Sequence, residues 1–247
     1  MKNKVSSGFS LVELSVVLVI IGLIVAAIAG GSHMLYAAKL NAVISELRGY
    51  ATGVENFRNK YNYFPGDLPN AATDYWGTYN ATTNPTGVLN GDGDEELDTA
   101  SERFQAWSHM AKAGFITGDY DGTGTANGDG VGGVNIPQSS AIEELTYFIN
   151  TTSSYGTGGI YIATKRGTGF NGILNSADSY YIDKKIDDGD KGTTSAGTGN
   201  FFAIRGDDVA TTADRCVDKE RTQAPPVEYV LTDFATNCRL VFWLMKD

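Results

Sequence analysis

Histidine, cysteine and positive charge are all scarce in this chain of 247 residues, and each shortage removes a class of chemistry. The two histidines are His33, beside an apolar run, and His109, alone in a helix-forming stretch, so no histidine-based triad or zinc site can be built. No phosphate-cradling glycine loop and no dinucleotide fingerprint occurs. Lysine and arginine total 19 against 29 acidic residues, for a net charge of −10. An acidic chain lacks the phosphate-neutralising surface that dominates nucleic-acid affinity, so nucleic acid is an unfavoured partner. Carboxylates are abundant enough for a glycosidase-like pair, but a solvated acidic surface is the preferred reading, and the chain does not read as an enzyme.

Only Cys216 and Cys238 are present. In a chain that starts with a membrane-targeting segment they read as one disulfide in an oxidising compartment, with two buried free thiols as the alternative. The bridge would close a loop of about 21 residues, worth ~3 kcal/mol on the chain-entropy model. The 30 glycines point to many turns, while 13 tyrosines and 11 phenylalanines supply bulk for a core. The length suits one globular domain behind a long N-terminal element.

That element begins Lys4-Val-Ser-Ser-Gly8-Phe9-Ser-Leu-Val-Glu13-Leu, and the eighteen residues Leu14 to Gly31 carry no charge. As a helix they span roughly 27 Å, enough to cross a hydrocarbon core. Lys2 and Lys4 place the extreme N-terminus on the cytoplasmic side and the body outside the cytoplasm. An ordinary signal peptide is the rival, because Ala27-Ile28-Ala29 offers a small-residue cleavage site. Two features oppose it: a glutamate inside the apolar region, and a helical pattern that runs past the would-be cut. Leu40, Val43, Leu47, Tyr50, Val54, Phe57 and Tyr61 recur at spacings of three and four, so one helix is expected from about Phe9 to Tyr61. Gly30-Gly31 is its weak point, since each glycine costs ~1 kcal/mol against alanine, and a bend or local melting is expected there.

Gly8-Phe9-Ser-Leu-Val-Glu13-Leu followed by an unbroken apolar run resembles the N-terminal signature of type IV pilins and type II secretion pseudopilins. The resemblance covers about a quarter of the chain. It implies a leader, residues 1–8, cut after Gly8 by a prepilin peptidase that methylates Phe9. It also implies a single-pass inner-membrane protein whose helix has a polymerising part at 9–31 and an amphipathic part at 32–62. The body, 63–247, would then be periplasmic. Partners would be the peptidase, the inner-membrane assembly platform and other subunits of a pilus or pseudopilus. Elementary electrostatics supports this independently. Cleavage exposes an α-amino group with pKa ~8, cationic at neutral pH. In low dielectric that cation attracts a carboxylate strongly, so Glu13 of one subunit would hold the Phe9 amine of its neighbour and set the register. A Glu13 that only snorkels to the membrane surface is the plainer alternative.

The run Tyr63-Phe64-Pro65-Gly66-Asp67-Leu68-Pro69 is a turn-rich exit from the helix, and its aromatics read as packing residues. Next comes Asn90-Gly-Asp92-Gly-Asp94-Glu-Glu-Leu-Asp98-Thr99-Ala-Ser-Glu102. Alternating oxygens on a glycine-bent loop are how a short segment supplies ligands to Ca²⁺, which makes Asn90, Asp92, Asp94 and Asp98 candidate donors. The match to an EF-hand fails, with Glu95 where glycine is required and Ser101 where the bidentate glutamate should stand. The competing reading is a solvated loop, with Thr99 and Glu102 as a capping box for a helix from about Thr99 to Ala113. In that helix Phe104, Trp107 and Met110 read as core, with Gly114 closing it. Asp119, Asp121, Asn127 and Asp129 form a second acidic, glycine-rich loop.

Strands are expected near 145–149, 159–164, 200–205, 228–231 and 239–245, with a helix at Ala177–Ile186 ending in a charged, solvated turn. The whole reads as α+β: a long N-terminal helix packed against a small antiparallel sheet. The function expected is a fibre subunit. The alternatives are a soluble exported binding protein cut after Ala29, and an exported carboxylate-dependent hydrolase.

Overall fold

An apolar run without a break forms a helix that has nothing of its own to bury, and the chain begins with one. The computed structural model describes residues 10–124, 130–151, 160–166, 172–187, 201–205, 216, 229, 231 and 238–244. Helix α1 spans Leu11–Tyr61. The chain divides into two units, Met1–Asn41 and Ala42–Asp247, so the last twenty residues of α1, from Ala42, belong with the body.

In the first unit every residue from Leu11 to Ile28 is exposed, and Leu11, Leu23 and Ile28 keep two thirds or more of their surface. The local melting expected at Gly30-Gly31 is absent, because α1 is helical through both glycines. A cost of ~1 kcal/mol per glycine is outweighed where each added residue gains a backbone hydrogen bond from a helix already formed on both sides.

In the second unit the three-four stripe behaves as its spacing predicts. Val43, Leu47, Val54 and Phe57 are buried, and Tyr50 and Tyr61 are partly so. Tyr50 sets its ring edge-on to Trp107 at 5.2 Å and against Tyr147 at 5.0 Å. Helix α2, Ala100–Lys112, starts at a full capping box: Thr99 accepts from the Glu102 N–H, and Glu102 accepts from the Thr99 N–H. It ends where Gly114 takes φ +77° and its N–H reaches Ala111 O, while the Phe115 N–H reaches Met110 O. That pair of bonds satisfies two otherwise orphaned carbonyls, a conformation that glycine adopts without strain.

Strands β1 (Leu145–Thr151), β2 (Ile160–Arg166), β3 (Phe201–Arg205) and β4 (Cys238–Trp243) form one antiparallel sheet in the order β1-β2-β4-β3. Register follows side-chain alternation. Tyr147 and Ile149 face Thr164 and Ile162 across the first pair and are fully buried on the face that meets Tyr50. On the other face Phe148, Ala163, Val241 and Trp243 form a second cluster. The outer edge of β1 is covered by residues 137–139, through Tyr147 N–H to Pro137 O and Ser139 N–H to Leu145 O. Long helix and antiparallel sheet together make the α+β arrangement.

Helix α3, Ser176–Ile186, is capped by Asn175, whose side chain accepts from the Asp178 N–H. Its acidic residues divide between the exposed Asp187 at the helix end and two inside. Asp178 and Asp183 are buried, and Asp183 accepts from the Tyr229 hydroxyl at 2.8 Å, which compensates its lost hydration. Of the strand expected at 228–231, only Tyr229 and Leu231 are among the described residues. There Tyr229 lies in a β-bridge and the Leu231 N–H bonds to Tyr229 O. Cys216 and Cys238 are joined by a disulfide with Cα atoms 5.1 Å apart.

Candidate functional site

Two places carry chemistry beyond packing: the start of α1 and the acidic loop before α2. At the first, a helix beginning at Leu11 leaves its leading N–H groups without partners. Ser10 and Glu13 answer them. The Ser10 N–H donates to Glu13 Oε2 at 2.9 Å, and Ser10 Oγ accepts from the Val12 N–H at 3.3 Å. A carboxylate in the first turn also lies with the helix dipole. Within its own chain Glu13 therefore serves its own helix start, and it is the one charged side chain between Leu11 and Tyr36 apart from the ionisable His33. Gly8 and Phe9, with the rest of the leader, lie outside the described residues.

The acidic loop is organised by a residue that pattern reading missed. Asp67, fully buried, accepts the Gly93 N–H at 2.7 Å on one oxygen and the Glu95 N–H at 3.0 Å on the other. Burial lifts its carboxyl to about 6, against the lowering effect of those two bonds, and the charges of Glu102 and Asp94 add to the rise. The backbone comes close enough for this only because Gly66 and Gly91 lack side chains. A Cβ on Gly66 would meet Glu102 O, and one on Gly91 would meet the Asp67 backbone. His109 locks the same turn from below: its Nδ1 accepts the Gly66 N–H at 3.0 Å, so Nε2 carries the proton toward Leu89 O at 3.0 Å. Burial lowers the imidazole to about 4, and it stays neutral between Phe57 and Trp76.

Around this anchor two carboxylate groups gather, sharing Asp92. Asp67, Asp92 and Asp94 bring their oxygens within 4.8 Å of one another, and so do Asp92, Asp98 and Glu102. Of the four donors expected from sequence, Asp92, Asp94 and Asp98 are exposed, with Asp94 in the first group, Asp98 in the second and Asp92 in both. The Asn90 side-chain oxygen instead accepts the Ala72 N–H at 2.7 Å, holding a single π-helical turn, Ala71–Trp76. Such oxygens suit a hard divalent cation. From the second acidic loop, Asp121 accepts from the N–H and hydroxyl of Thr123, and Asp119 lies 3.7 Å from Lys112. Neither belongs to these groups, and Asn127 and Asp129 lie outside the described residues. A signal for Asp67 was present in sequence: an acid between Phe64 and Leu68, at a Pro-Gly turn, surrounded by residues bound for the core.

The apolar helix is long enough to cross a membrane by length and composition, and with its lone carboxylate it fits a membrane-anchored single-pass protein. Residues 3–29 match the family model described as the prokaryotic N-terminal methylation motif, which supports the type IV pilin and pseudopilin family for this chain. The match supports a pilin- or pseudopilin-type substrate of prepilin peptidase, and that family is one of structural subunits. No curated protein and no solved structure matches the chain.

Proposed function

We propose that this protein is a structural subunit of a type IV pilus-like or type II secretion pseudopilus fibre. It is cut after Gly8, methylated on Phe9, and assembled through its N-terminal helix with the body on the periplasmic side. The observation that carries the reading is the first unit of α1: eighteen consecutive exposed residues, Leu11–Ile28, with one acid at the start. A bilayer can cover such a surface in the free subunit, and neighbouring helices can cover it in a fibre. The second setting brings up a cation for Glu13, the Phe9 amine of the next subunit. The test is the mass and terminal sequence of the mature chain. A start at methylated Phe9 supports the proposal, whereas a start at Gly30 would assign the chain to exported proteins with an ordinary signal peptide.

A subsidiary part of the proposal concerns the acidic loop, which takes Ca²⁺ through Asp92 and Asp94 with the buried Asp67 oxygens behind them, while Asp98 and the buried Glu102 form the second group beside Asp92. Because Asp67 gives up its proton only near pH 6, binding strengthens as pH rises through that value. Calcium should raise the melting temperature of the body at pH 7.5 and do so less at pH 5. Absence of any calcium-linked rise would remove this part and leave the fibre reading standing.

A further inference from the structure

We draw no further inference here: the strongest candidate, the half-exposed aromatic knot of Tyr61, Tyr75 and Trp76 beside Lys60 at the C-terminal end of α1, packs ring against ring as a small core of its own, and nothing in the structure shows what covers the rest.

Discussion

The two halves of α1 share a backbone and differ in where their partners are. From Val43 onward, apolar residues fall on one stripe and are buried within the body, while polar residues take the other faces. Before Tyr36 apolar residues cover every face and remain exposed. The later half is stabilised by its own chain. The earlier half has no such cover within its own unit among the described residues, and on the proposed fibre reading neighbouring helices supply it, with Glu13 as the charged group they meet. Exposure of large apolar surface is in this sense the most functional feature of the molecule.

Matched substitutions in the two halves should separate these roles, and they give the largest effects. Val54→Asp places a carboxylate in a packed core with no partner, and should cost several kcal/mol, enough to unfold much of the body. Val19→Asp should leave the body's melting temperature unchanged, yet at roughly 3 kcal/mol on insertion scales it should impair membrane retention and assembly. Thermal unfolding of detergent-solubilised chain, set beside membrane fractionation, reads both. Equal loss of body stability from the two variants would erase the distinction.

How much of this was legible in sequence depended on the distance over which the signal acts. Helix α2 was readable with both ends, because Thr99, Glu102 and Gly114 act within a turn of one another. The start of α1 was placed at about Phe9, but its cap went unread: Ser10 and Glu13 lie only three residues apart, and Glu13 was assigned to a neighbouring subunit. The acidic loop was half legible. Alternating acids gave Asp92, Asp94 and Asp98, but the anchor is Asp67, which binds backbone 26 and 28 residues further on. Glu46, off the apolar stripe of α1, gave no local sign of its partners either. It accepts from the Tyr147 hydroxyl at 2.6 Å and from the N–H and hydroxyl of Ser140, tying α1 to β1 across about a hundred residues. Periodicity has no information about such pairs. The local melting expected at Gly30-Gly31 failed for the opposite reason: a local cost was visible, and the cooperative gain of the surrounding helix was left out.

A smaller effect sharpens the contrast from the body's side. Its buried turn contains two titrating groups that pull stability in opposite directions. Asp67 is raised to about 6 from an ordinary 3.8, so the folded state holds the extra proton and stability falls as pH rises from about 4 to 6. His109 is lowered to about 4 from 6.5, so the unfolded state binds the extra proton and stability falls as pH drops from 6.5 to 4. Between about pH 4 and 6 the two oppose each other. Relative to the unaltered chain, Asp67→Asn should therefore tilt stability against pH toward loss in acid, and His109→Gln should tilt it toward gain. Melting temperatures across this range check the signs, and tilts of the same sign would refute the account of the turn. Neither substitution should change membrane retention, because both act in the body alone.

The central claim, that the first half of α1 is completed by its neighbours and that Glu13 is the group they must satisfy, is tested most directly by Glu13→Ala in cells that assemble the fibre. The account predicts a subunit that is still inserted in the membrane and still has a folded body, with incorporation into fibres lost or strongly reduced when mature subunit is quantified in sheared or pulled-down fibre. Normal incorporation of Glu13→Ala would contradict it.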